Sequence, residues 1–187
     1  MPKQSKKDDI LAAAKQLFSE KGYDATGMEE VALLSGVPKS LIYYHFKNKE
    51  DLLNNIIAAF LAEYERILQD DSERGIDKIG RYIQFLEKNK DSARILMTES
   101  FKPASNNQTA IFKAVEILQN NDPEPADHGH WVTEFFTSIL PSVVYVCYSE
   151  SWCDYFKVRP ETLANDFSNA YKLTHGAYHK HIKKESL

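Results

Sequence analysis

Residues that staple a fold or punctuate it are scarce in this sequence. Two cysteines, Cys147 and Cys153, stand among 187 residues. They form neither a metal-type pair nor a disulfide framework, so a reduced, cytoplasmic protein is expected. The seven glycines include no phosphate-cradling run. G-x-S-x-G, H-E-x-x-H and a nucleophilic cysteine signature are also missing, so nothing points to an enzyme. The acid pairs Glu29-Glu30 and Asp70-Asp71 read as helix-end or surface charge. The segment MPKQSKKDD lacks an apolar core, and no secretory signal is expected. The best apolar run, IIAAFLA at 56–62, falls far short of the ~20 residues a bilayer requires, so no membrane partner is expected. His128 with His130, and His175 with His179, have no convincing third ligand, and neither a metal nor a cofactor is expected.

What remains is apolar and helical. Hydrophobic residues make up 43% of the chain and aromatics 12%, enough for a core without disulfides. The net charge is −4, unevenly spread. Residues 1–49 hold eight lysines against six acids, which gives +2; residues 50–187 hold fifteen basic and twenty-one acidic residues, which gives −6. A mildly basic head on an acidic body lets the head approach phosphate while the body stays soluble.

Ile10, Leu11, Ala14, Leu17 and Phe18 recur on one helical face, and Gly22 stops that helix. Thr26 and Glu29 have capping-box spacing, so a second helix is predicted from there, with Val31, Ala32 and Leu34 inward. Gly36 suits a left-handed turn, Val37 a plug beneath it, and Pro38 the first position of a third helix. That helix buries Leu41 or Ile42 and then Phe46. A long helix follows with a stripe from Leu52 to Leu68, broken by Asp70-Asp71-Ser72. Further helices are predicted near 73–89, 92–101 and 107–120, then a polar loop at 120–130. An apolar helix at 131–152 is weakened by Pro141, and a last helix spans 161–184. The fold class is all-α, with about nine helices. Two short helices joined by a glycine turn, the second carrying Lys39, Ser40, Tyr43, Tyr44 and His45 outward, suit a helix-turn-helix on nucleic acid.

LFSEKGYDAT followed by MEEVALLSGVPKSLIYYHFKNKEDLL resembles the DNA-binding domain of the tetracycline-repressor (TetR) family of bacterial regulators. The resemblance covers about residues 8–57. It rests on Phe18, Gly22, Thr26, Val31-Ala32, Gly36-Val37, Tyr43, His45-Phe46, Lys49 and Leu52-Leu53 in order and spacing. It implies a three-helix DNA-binding domain at 1–50, with the motif at about 27–46. It also implies a helical ligand-binding and dimerisation domain at 51–187, in a cytoplasmic homodimer on a palindromic operator. By the family pattern Tyr43, His45 and Lys49 contact the phosphate backbone, Lys49 together with the amides that open the long helix. Thr26 caps first and touches phosphate second. Lys39, Ser40 and Tyr44 read bases, and Leu41 replaces the family's small polar residue, to contact a thymine methyl or to pack. Lys3, Lys6 and Lys7 are expected in a solvated tail or a basic arm.

The body is less specific. Phe85, Met97, Phe101, Phe112, Trp131, Phe135, Tyr145, Tyr148 and Trp152 are candidates to line a pocket for an apolar or aromatic effector; Phe136, Tyr155 and Phe156 share that pattern. For each, core or dimer interface is the competing role. Phe136, Leu140, Phe167, Tyr171, Thr174 and Tyr178 are assigned to a four-helix dimer interface. The expected function is a repressor released from its operator by such an effector. Two rivals stand beside it: a DNA-bound module that docks a protein partner, and a helical enzyme or carrier with a vestigial head.

Overall fold

The computed structural model describes residues 5–69, 78–103, 110–121 and 127–185; the side chains of 78, 79 and 179–185 are not described. Lys3, the break at Asp70-Asp71-Ser72, the openings of the helices expected at 73–89 and 107–120, the centre of the polar loop and the His179 side chain lie outside the described residues. Among those described, the chain is all-α: α1 Lys6–Lys21, α2 Met28–Ser35, α3 Lys39–His45, α4 Lys49–Gln69, α5 Lys78–Lys88, α6 Lys90–Phe101, α7 Ala110–Asn120, α8 His128–Glu134, α9 Leu140–Phe156 and α10 Pro160–Glu185. A π-helical segment, Phe135–Ile139, joins α8 to α9. The three therefore run as one continuous helix, which leaves nine separate helices among the described residues.

The chain divides into two compact units. The first holds residues up to 77 together with 88–121. In it α1 packs on α2, α3, α4 and α6, while α4 packs on α6 and α7. Its core at the head is Ile10, Ala14, Phe18, Val31, Val37, Ile42 and Phe46, all at or below 3% exposure. Burying each of the larger side chains contributes about 1.5–3 kcal/mol. Leu52, Leu53, Ile56, Ile57, Phe60, Leu61 and Tyr64 carry that core along α4, so IIAAFLA is largely core. Ser5 caps α1 reciprocally with Asp8, which puts Lys6 and Lys7 in the helix's first turn and not in a tail.

Two helix boundaries differ from the sequence reading. The cap of α2 is Gly27, one residue later than Thr26, and its N–H donates to Glu30 Oε2 at 3.0 Å. Thr26 is 2% exposed, and its hydroxyl donates to Gly22 O at 2.9 Å. Pro38 is the N-cap of α3, with the helix starting at Lys39. Leu34, expected inward, is 47% exposed. It shares a face with buried Val31 but stands in the last turn of α2, one residue before the helix ends at Ser35.

The second unit holds residues 78–87 and 122 onward. Pro141 stands in the first turn of α9 and has no N–H to donate. The helix widens just before it, and Leu140 N–H donates to Phe135 O five residues back, the geometry of a π turn. The helix from His128 to Phe156 is long and apolar enough to cross a membrane by length and composition alone, with 44% of its apolar window buried. That corrects the apolar-run argument, although core helices of soluble proteins pass the same test.

Polar groups fasten α10 to this helix. Ser138 Oγ lies 3.0 Å from Tyr171 OH, Thr137 Oγ1 lies 3.0 Å from His175 Nδ1, and His130 Nδ1 lies 3.2 Å from Tyr178 OH. Tyr145 stacks on Phe167 with centroids 4.2 Å apart. Burial, with Glu87 and Cys153 nearby, pushes the Tyr145 hydroxyl above its ordinary range. Three residues of the expected dimer stripe, Phe167, Tyr171 and Tyr178, thus make contacts within their own chain. Thr174 and Phe136 are exposed, and Leu140 is half-buried.

Candidate nucleic-acid interface

Gly36 turns the chain between α2 and α3 at φ +64, in the left-handed region where a side chain is strained. Val37 plugs the turn at 2% exposure and fixes where α3 begins. Ile42 at 0% and Phe46 at 1% anchor the inner face of α3. With that face fixed, Lys39, Ser40, Tyr43 and Tyr44 are exposed, and Leu41 and His45 are half-buried. Tyr43 is 46% exposed and Tyr44 81%. The Tyr44 ring meets His45 edge-on with centroids 5.2 Å apart. Lys39 Nζ lies 5.9 Å from the centre of the Tyr43 ring. One helix face therefore offers a cation, hydroxyl donors and an aromatic surface, the mixture that phosphate and base-edge contacts use.

Two expected contacts are placed differently. Thr26 is buried as described, and no exposed hydroxyl is offered there. Lys49 turns inward: its Nζ donates to Tyr23 O at 2.8 Å, Thr26 O at 3.0 Å and Asp24 O at 3.3 Å. The same ammonium sits 4.4 Å from the Tyr23 ring centre. It fastens the α1–α2 loop to the start of α4 and is not presented outward. The opening of α4 is also engaged by the chain itself. Asp51 N–H donates to Asn48 Oδ1 at 2.8 Å, and Asp51 Oδ2 accepts from Lys47 N–H at 3.0 Å.

The sequence reading missed several residues. Lys47, exposed between α3 and α4, is a basic group beside the interface; its place two residues after His45 was the available signal. Lys39 Nζ pairs with Glu29 Oε1, and Lys21 Nζ pairs with Glu30 Oε1. The Lys39 bond holds Glu29 below its ordinary value, and the Gly27 amide followed by Lys21 does the same for Glu30. Behind the head, Lys102 bridges Asp24 at 2.8 Å and buried Glu99 at 2.6 Å. Ser19 Oγ donates to Asp91 Oδ1 at 2.8 Å. These bonds tie α1 and its following loop to both ends of α6. The hydrogen bond from Lys102 lowers the Asp24 carboxyl from its ordinary 3.8. Burial pulls Lys102 down, yet its bonds to Asp24 and Glu99 win and raise it.

The family model for bacterial regulatory proteins of the tetR family matches residues 10–56. That segment contains most of α1, all of α2, the Gly36 turn, α3 and the first turns of α4. Residues 10–56 thus match the N-terminal domain of the tetR family of bacterial regulatory proteins. Over 51 residues it is 49% identical to the HTH-type transcriptional regulator QacR of Staphylococcus aureus, a match covering 27% of each protein. It is 25% identical over 109 residues to the HTH-type transcriptional activator FasR of Mycolicibacterium smegmatis, covering 54% of this chain and 49% of that one. The chain thus spans about half or less of the length of these curated relatives. A solved regulator from Streptomyces coelicolor superposes with a TM-score of 0.63 at 17% identity, over 90% of this chain and 97% of that one. That likeness shows the fold alone. The relatives named here are transcription regulators, not enzymes.

The candidate pocket residues are divided between the two units. Phe101, Phe112, Tyr148 and Trp152 are 46–59% exposed, while Phe85, Trp131 and Phe135 are buried and Met97 and Tyr145 half-buried. Met97, Phe101 and Phe112 belong to the first unit and the others to the second. A cleft of about 240 Å³ in the first unit is lined by none of them; its walls include Leu11, Ile56, Phe60, Asp8, Lys15 and Glu63. Among the described residues no group of three or more His, Cys, Asp or Glu side chains is arranged to hold a metal. Cys147 is buried, and both cysteines are free thiols.

Proposed function

We propose that this chain is a homodimeric, sequence-specific DNA-binding transcription regulator of the tetR family in the cytoplasm. Residues 1–50 form the DNA-binding domain, and 51–187 the ligand-binding and dimerisation domain. The carrying observation is the outer face of α3, with Lys39, Ser40, Tyr43 and Tyr44 exposed over an anchor of Ile42 and Phe46. Tyr43, His45 and Lys47 supply phosphate contacts; Lys39, Ser40 and Tyr44 face bases, with Leu41 at the edge. Two such helices must reach successive major grooves about 34–36 Å apart, so the working form is a dimer on a palindromic operator. Exposed Phe136, Trp152, Tyr155, Phe156 and Leu173 in the second unit support an interface with a second copy.

The regulator acts as a repressor released by a small, mostly apolar or aromatic effector. Phe85, Trp131, Phe135 and Tyr145 are the aromatic groups best buried for contact with it. An effector releases DNA only if it binds the released state better than the DNA-bound one. The same exposed aromatics favour a second reading, a DNA-bound module that docks a protein partner and takes no effector.

The test is fluorescence anisotropy with the DNA immediately upstream of the coding sequence, at two salt concentrations and with non-specific competitor. Tight, competitor-resistant binding supports the reading. Effector screening on that complex then separates the two versions, because the docking module stays bound whatever compound is added.

A further inference from the structure

Lys39 is the only lysine on α3, whose sequence is KSLIYYH, and its Nζ is taken by Glu29 of α2. Both side chains face solvent, at 44% and 72% exposure. The partner is one of two acids in the first turn of α2. Glu30, next to it, already caps the Gly27 amide and pairs with Lys21. Glu29 is left to pair with α3, and its bond to Lys39, followed by one to its own backbone, holds its carboxyl below the ordinary value.

We propose that Glu29 is a specificity-determining residue: it holds Lys39 away from arbitrary phosphates and yields it only to fixed acceptors on cognate base edges. The inference rests on the DNA-binding reading above. An exposed ion pair is weak and screened by salt, so it can be exchanged. A guanine edge offers two acceptors in fixed geometry, and such an acceptor pair competes well for a lysine. A phosphate met out of register offers two charged oxygens but no fixed geometry, and taking Lys39 from Glu29 there leaves an unpaired carboxylate beside the DNA backbone. The pair therefore lowers non-specific affinity more than specific affinity. Ordinarily a lysine freed on a recognition helix adds to both.

The experiment uses the full chain and two duplexes, one enriched from a random-sequence pool by the wild-type protein and one with that sequence scrambled. Affinity is measured against salt for wild type, Glu29→Gln, and Glu29→Gln combined with Lys39→Met. Glu29→Gln is expected to tighten binding to the scrambled duplex and to steepen its log–log salt slope by about 0.9 per head. That slope corresponds to about eightfold in affinity for each tenfold change in salt. The enriched duplex gains less, so the specificity ratio falls, and the added Lys39→Met change abolishes the gain. The proposal is overturned if Glu29→Gln leaves the scrambled-duplex slope unchanged or tightens both duplexes equally. It is also overturned if the gain persists without Lys39, since Glu29 would then act only as a general negative charge. A wild-type chain that binds neither duplex in a salt-dependent way overturns the DNA-binding reading itself.

Discussion

Replacing Lys49 by methionine separates two roles that a lysine can play at the edge of a DNA-binding domain. Its ammonium donates to the carbonyls of Tyr23, Thr26 and Asp24 and lies over the Tyr23 ring. Methionine keeps an apolar stem but removes every one of those contacts. The Tyr23 and Thr26 bonds are partly buried and the Asp24 bond is exposed. At about 1 kcal/mol for each partly buried bond, with about 0.5–1 kcal/mol for the ring contact, the loss comes to about 2–3 kcal/mol. In a chain of this length that lowers the unfolding midpoint by about 5–10 °C. Thermal and urea unfolding followed by circular dichroism read the change, and anisotropy reads DNA affinity against salt. The reasoning is refuted if Lys49→Met unfolds within about 0.5 kcal/mol of wild type while its DNA salt slope falls by about one, the mark of a lost phosphate contact.

Three further outcomes follow from the same geometry. Ile42→Ala empties a fully buried position under α3 and should cost about 2–5 kcal/mol, measured by urea unfolding. Gly36→Ala meets no atom within 4 Å, so its cost is that of a side chain at φ +64 alone, about 1–2 kcal/mol by thermal unfolding. Asp24 has its carboxyl lowered by Lys102. Its contribution is therefore complete above the ordinary value of 3.8 and is lost as pH falls through the lowered one. Asp24→Asn, which leaves the Lys102–Glu99 pair in place, should flatten that acid limb of the stability profile and leave the profile above pH 5 with the same shape.

The parts legible in the sequence are those that periodicity and backbone conformation dictate. Gly22 and Gly36 both adopt positive φ, and a chain that must turn there has few other residues to use. Ile42 and Phe46 are separated by four, so one helix face fixes both in the core. Long polar side chains obey no such constraint. Lys49 can reach solvent or fold back on carbonyls from the same Cα, and only the loop beneath it decides. The Thr26 cap was misread because Glu29 and Glu30 stand side by side, and the three-residue capping spacing fits Thr26 with the first as well as Gly27 with the second. The body was the least legible. An aromatic stripe on α10 says that something covers it, not what. Phe167, Tyr171 and Tyr178 are met by Tyr145, Ser138 and His130 of their own chain.

The central claim is that the outer face of α3 reads DNA. The most direct measurement compares wild type with Tyr44→Ala and Tyr43→Phe in a selection from a random-sequence duplex pool, each chain checked for folding by circular dichroism. The account predicts that wild type enriches a palindromic sequence. Tyr43→Phe should enrich the same sequence with uniformly weaker binding, and Tyr44→Ala should change preference at defined positions while folding normally. Enrichment of no sequence by a folded wild-type chain, or identical enrichment and affinity for all three, would contradict it.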